Sequence, residues 1–244
     1  MTSTGTVDHD AAMSERPTIM LVHGAWHGSW CWDPLRRKLH DRGFATAVVD
    51  NPSVTMPGSD LATDGDNLRR ALDAVDGPVV VVGHSYGGAV LSAAGAHPSV
   101  EQLVFLTAFT LDTGESVVAN ALTGGGDDMK LAAALQFDGD TISVQPERAV
   151  EFFYHDCADD VAASACGQLR PMSMAAMGGV IGAPAWREKP ASYVVCTDDR
   201  ALPVALQRSC AARVGTVREM PTSHSPFLSR PGDLAQLLAE IVSS

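Results

Sequence analysis

Four β-branched residues, Val79-Val80-Val81-Val82, run without a break into Gly83-His84-Ser85-Tyr86-Gly87-Gly88. The apolar run reads as a buried strand, and Ala89-Val90-Leu91-Ser92-Ala93-Ala94 beyond the turn reads as a helix of small residues able to pack closely on a sheet. A strand can pass so abruptly into a helix only through a cramped elbow. Glycines on both sides of Ser85 are then required, because a Cβ there would strike the neighbouring strand or helix. The Gly-x-Ser-x-Gly pentapeptide alone is weak evidence; set between strand and helix it predicts a serine nucleophile lifted from the end of a buried strand.

Strand-like and helix-like segments alternate around this unit: 18–22, 30–41, 44–49, 60–75 and 79–82, then 102–106, and again 192–196, 203–212, 216–220 and 231–242. Alternation of this kind predicts a mostly parallel sheet flanked by helices. Between Phe109 and Pro190 the pattern breaks into short helical stretches, a Gly124-Gly125-Gly126 interruption and a methionine cluster, with no convincing buried strand. We expect a disordered leader at 1–16, a core formed by 17–108 and 191–244, and a helical lid inserted at 109–190.

The chain has 244 residues, enough for one α/β domain, and its 17 Lys+Arg against 29 Asp+Glu give a net charge of −12. That charge disfavours nucleic acid and anionic membranes as partners. Five cysteines, an odd number without CxxC spacing, argue against a disulfide framework and a zinc site. The first 16 residues lack a basic start and an apolar stretch, and no run approaches a membrane span. A soluble, cytoplasmic protein is expected.

A serine hydroxyl needs a general base and a third group that orients the base. In an architecture of this kind both follow the nucleophile in the chain. Asp198 and Asp199 follow the apolar run Tyr193-Val194-Val195-Cys196, and His224 lies just past the last strand-like segment. The other histidines are less well placed: His9 is in the leader, His40 and His97 end helices, His84 belongs to the elbow backbone, His23 and His27 flank an early turn, and His155 falls in the lid, where a surface position is favoured over substrate contact. An oxyanion hole would combine the Tyr86 N–H with that of Ala25, in the loop Val22-His23-Gly24-Ala25-Trp26-His27-Gly28. That loop lacks G-x-G-x-x-G spacing, so dinucleotide binding is not expected, and no metal or cofactor is needed.

With these residues in place the chain resembles the α/β-hydrolase superfamily, and within it the branch of plant methylesterases, hydroxynitrile lyases and related bacterial esterases. The likeness rests on four blocks: Val22 to Trp32, Gly83 to Gly88, Val195 to Pro203, and Ser223 to Ser229. It implies Ser85 as nucleophile, His224 as base, Asp199 rather than Asp198 as acid, and Ala25 with Tyr86 as oxyanion donors. The lyases of the branch carry a lysine directly after the catalytic histidine; Ser225 stands there in this chain. Hydrolysis is therefore favoured over cyanide release.

The expected partner is a small hydrophobic or aromatic ester, in a pocket between elbow and lid to which Tyr86, Trp186, Met172, Met174 and Met177 contribute; pairing into a homodimer is left open. Two other classes stay in view. One is a lyase, elimination or acyl-transfer enzyme of a biosynthetic pathway using the same triad; the other is a small-molecule receptor on a hydrolase scaffold, against which the intact motif set counts.

Overall fold

The computed structural model describes residues 16–125 and 129–243. The expected leader therefore lies, apart from Arg16, outside the described residues.

Six strands form one parallel sheet: β1 (Thr18–Val22), β2 (Thr46–Val49), β3 (Val79–His84), β4 (Val100–Leu106), then, after a long insertion, two more, Ala191–Cys196 and Thr216–Met220. Their spatial order is β2, β1, β3, β4, Ala191–Cys196, Thr216–Met220, every neighbouring pair parallel. Alternate residues of each strand feed opposite cores. Ile19, Leu21, Val80, Val82, Val104 and Leu106 face one cluster with Trp32, Phe227 and Leu238, while Met20, Val22, Val79, Val81, Leu103 and Phe105 face the other. Both faces of the sheet are thus apolar, which is why the strands read as continuous hydrophobic runs.

Helices cover each face. Helices α1 (Asp33–His40) and Pro231–Val242 close the Trp32 side, while α2 (Leu61–Asp73) and α3 (Gly87–Ala94) close the other. α2 begins at Asp60, whose carboxylate accepts the Thr63 N–H at 2.8 Å as an N-cap.

The insertion departs from the expected helical lid. Besides α4 (Val117–Asn120), α5 (Pro146–Ala149), α6 (Asp159–Cys166) and α7 (Met174–Gly178), it holds a three-stranded antiparallel sheet of β5 (Leu135–Asp138), β6 (Thr141–Val144) and β7 (Met172–Ser173). β5 is largely exposed, β6 buries only alternate residues and β7 has two residues, so none shows as a buried run. The local signal was the turn: β5 and β6 are joined through Gly139, at φ +58°, and Asp140, a two-residue hairpin connection with glycine in the first position. In chain order the strands after the insertion are β8 (Ala191–Cys196) and β9 (Thr216–Met220), with α8 (Val204–Ala211) between them and α9 (Pro226–Ser229) and α10 (Pro231–Val242) closing the chain.

Candidate active site

Ser85 follows β3 directly at φ +52°, in the left-handed region that costs a non-glycine residue roughly 1–2 kcal/mol. The surroundings leave it no alternative. A Cβ on Gly83 would lie 2.8 Å from the Gly87 carbonyl oxygen, and one on Gly87 would lie 2.5 Å from that of Val22, so strand, turn and helix approach more closely than side chains allow. Ser85 is partly exposed and lines a cavity of about 420 Å³.

The loops after β8 and β9 deliver Asp199 and His224 to the same end of the sheet. His224 Nδ1 lies 2.6 Å from Asp199 Oδ2, with both side chains buried. A carboxylate oxygen accepts, so the ring proton sits on Nδ1 and Nε2 keeps its lone pair. The Asp199 carboxylate also accepts from Thr107 Oγ1 at 2.5 Å, Gln207 Nε2 at 3.3 Å, and the N–H groups of Ala201 at 2.7 Å and Leu202 at 2.9 Å. Asp198 is exposed, and its backbone carbonyl, not its carboxylate, is engaged, accepting from His155 Nε2 at 2.9 Å. Ser85 and His224 line one cavity, and among the described residues the Ser85 hydroxyl has no hydrogen-bond partner. Contacts of that kind commonly tighten only when substrate is bound.

The loop after β1 lies against the nucleophile: a Cβ on Gly24 would sit 2.9 Å from Ser85 Cβ. Its peptides are held by two imidazoles. His23 Nδ1 is 2.8 Å from the Gly24 carbonyl oxygen and His27 Nδ1 is 2.8 Å from that of Ala25, and Trp26 takes φ +62° beyond them. His23 Nε2 accepts the Asn51 N–H at 3.0 Å, and His27 Nε2 accepts the Tyr154 hydroxyl at 2.8 Å. Among the described residues, the N–H groups of Ala25 and Tyr86 donate to no other backbone group.

Three buried histidines that sequence reasoning passed over therefore support the site. Burial lowers the basicity of His23 and of His27, the latter to about 3, and holds His84 well below the ordinary imidazole range. His84 Nε2 donates to the His224 carbonyl at 2.8 Å, and the two rings lie 4.5 Å apart. Thr107 and Gln207 were also missed, because only the fold brings the residue after β4 and the middle of α8 to Asp199. The Tyr86 hydroxyl is likewise engaged, donating at 2.6 Å to Asp64 Oδ2, which also accepts from Ser53 Oγ at 2.6 Å. Burial pushes the Asp64 carboxyl up, against the pull of these donors.

Met174 and Met177 line the cavity with Tyr86, Phe109, Val117 and Ile142. Two expected lining residues do not. Met172 is fully buried in β7, paired with Ile142 of β6, and Trp186 turns away to donate its Nε1–H to the Leu111 carbonyl at 2.7 Å with Arg187 over its ring. The indole hydrogen bond holds Trp186 outside the cavity, and Met172 is packed into the core cluster instead of its wall. Ser225 is fully buried. Among the described residues no group of three or more His, Cys, Asp or Glu side chains could hold a metal ion, and no helix is long and apolar enough to cross a membrane.

Residues 19–237 match the alpha/beta hydrolase family model. The chain is 26% identical over 277 residues to norfluorocurarine synthase 2 of a Strychnos species, spanning 95% of this chain and 97% of that protein. It is 27% identical over 269 residues to methylesterase 18 of Arabidopsis thaliana, spanning 95% and 99%. Among solved structures it is similar to a pyrethroid hydrolase from Sphingobium faniae, with a TM-score of 0.81 and 26% identity across 93% of this chain and 98% of that one.

Proposed function

The chain belongs to the alpha/beta hydrolase family and is an esterase-type enzyme, and from the arrangement around Ser85 we propose that it hydrolyses small hydrophobic or aromatic carboxylic esters through a serine acyl-enzyme. The observation that carries this reading is the hydrogen-bonded order Asp199–His224 opening, with Ser85, onto one apolar cavity. His224 Nε2 takes the Ser85 proton as Oγ attacks the ester carbonyl. The N–H groups of Ala25 and Tyr86 receive the charge that develops on the carbonyl oxygen. Collapse expels the alcohol, protonated by His224, and a water activated by the same ring releases the acid.

Small size and apolar character follow from the cavity: about 420 Å³, with almost wholly apolar walls. A substrate carboxylate or ammonium buried there would lose hydration without a counter-charge. The core at 17–108 and 191–244 carries the proposed catalytic groups, and the insertion at 109–190 supplies most of the cavity wall, acting as a lid.

The test is initial rates on a panel of p-nitrophenyl and methyl esters for the wild type and Ser85→Ala, with intact-mass detection of a fluorophosphonate adduct. Turnover and labelling that both vanish in Ser85→Ala support the acyl-enzyme. Turnover that survives the substitution overturns it. One observation favours a second reading, triad-based elimination or acyl transfer in biosynthesis: a similar protein is named a synthase. Labelling of Ser85 without turnover of any ester would favour that reading.

A further inference from the structure

Four consecutive residues of the insertion reach three loops of the site. The Phe153 carbonyl accepts from Ser223 Oγ at 3.1 Å, and its ring packs 5.7 Å from that of His224. The Tyr154 hydroxyl donates to His27 Nε2 at 2.8 Å. His155 Nε2 meets the Asp198 carbonyl at 2.9 Å. Asp156 Oδ2 accepts the Ser223 N–H at 2.8 Å. One short segment therefore ties together the loop bearing Asp199, the loop bearing His224, and the loop bearing Ala25.

Local geometry makes this reach available. Val150–Tyr154 is a π-helical turn, wider than an α-turn, and such turns are frequent at functional sites. Phe152, Phe153 and Tyr154 are all buried, so the segment is anchored and does not drift over the surface. The Tyr154 contact has a further chemical effect. By donating to Nε2 it places the His27 proton on Nδ1, where it is needed to bind the Ala25 carbonyl. The two peptide planes flanking the Ala25 Cα are then both fixed, one by His23 and one by His27.

We propose that residues 153–156 are a positioning strut for catalysis: Tyr154, acting through His27, holds the Ala25 carbonyl and so fixes the loop that, with His23, presents the Ala25 N–H, and Asp156, acting through the Ser223 N–H, sets His224, so that the insertion completes the catalytic geometry as well as walling the cavity. This rests on the proposed ester hydrolysis at Ser85. Neither residue touches the reacting atoms.

The test uses the full chain with Tyr154→Phe, Asp156→Ala and Asp156→Asn, measuring kcat and KM on a turned-over p-nitrophenyl ester. The fraction of active sites is titrated with a fluorophosphonate, so that kcat is expressed per competent site, and thermal melts are recorded alongside. Tyr154→Phe should lower kcat per site roughly ten- to a hundredfold, a loss like that of a weakened oxyanion donor, with KM within about twofold. Asp156→Ala should also lower kcat, whereas Asp156→Asn, which keeps an acceptor oxygen for the Ser223 N–H, should restore most of it. A merely structural role would lower the melting temperature or the competent fraction and leave kcat per site unchanged. Values of kcat per site within twofold of wild type for Tyr154→Phe and Asp156→Ala overturn the strut. If Tyr154→Phe does not fold, the Asp156 pair decides: equal kcat for alanine and asparagine overturns it. A wild type that is neither labelled nor active would refute the esterase reading instead, so the two failures are distinguishable.

Discussion

Asp198 and Asp199 are adjacent and chemically identical, and only burial and hydrogen bonding separate them. The Asp199 carboxylate accepts five hydrogen bonds, whereas Asp198 projects into solvent. Asp199→Asn should lower kcat by about three to four orders of magnitude, because an amide can present an N–H to Nδ1 and trap the wrong tautomer, while Asp198→Asn should stay within about twofold. Steady-state kinetics on the two variants separate them. Thr107→Val removes one donor to the same carboxylate and should cost about 1–2 kcal/mol in kcat/KM. At the elbow, Gly87→Ala forces a methyl against the Val22 carbonyl oxygen; we expect a loss of at least about 2 kcal/mol in urea unfolding, the size of an overpacked core position whose neighbour is backbone and cannot yield.

At the scale of elements, the β5–β6 hairpin and α4 determine the cavity mouth. Phe137 of β5 and Leu122, just after α4, line the cavity yet are largely exposed, which places apolar surface where a substrate's acyl chain would enter. Phe137→Ser and Leu122→Ser should raise KM for medium-chain esters severalfold while leaving acetate esters little changed; a chain-length series checks this. These elements were the least legible in the sequence. Long runs such as Val79–Val82 declare themselves because both faces of a parallel strand are buried. A four-residue strand with exposed Gln136, Phe137 and Asp138 offers no such pattern, and only the Gly139-Asp140 turn marks the hairpin. Ser85, His224 and the pair Asp198/Asp199 could be found because each follows a legible strand; Thr107, Tyr154 and His27 could not, because Thr107 is 92 residues from Asp199 and Tyr154 is 127 from His27, and Gln207, only 8 residues from Asp199, meets it across a turn of unread geometry.

Over the whole molecule, the buried histidines shape the response to acid. His23, His27 and His84 have folded-state pKa values depressed by burial, so the unfolded chain binds more protons than the folded one below about pH 6.5. Their contribution is present above that pH and is lost as pH falls toward their folded values, near 3 for His27. His27 alone, protonated on unfolding throughout the range from its folded value near 3 to the ordinary imidazole value, should lower stability by about 1.4 kcal/mol per pH unit around pH 5, and His23 and His84 act in the same direction. Asp64, raised by burial, acts in the opposite direction, favouring the fold as pH falls through its folded value toward its ordinary one. Melting temperatures between pH 7 and 5 check the sign, and His84→Gln should flatten the slope.

By itself the sequence determined the parallel sheet, the elbow and the chain positions from which a nucleophile, an acid and a base would come, because buried strands and strained turns impose residue patterns on their own neighbourhoods. The family resemblance pointed to Asp199, but only the tertiary structure decided how it is held against His224, that Met172 and Trp186 lie outside the cavity, and that three imidazoles and one stretch of the insertion brace the site. Those outcomes depend on distances between segments remote in the chain, and such distances leave no mark on local composition.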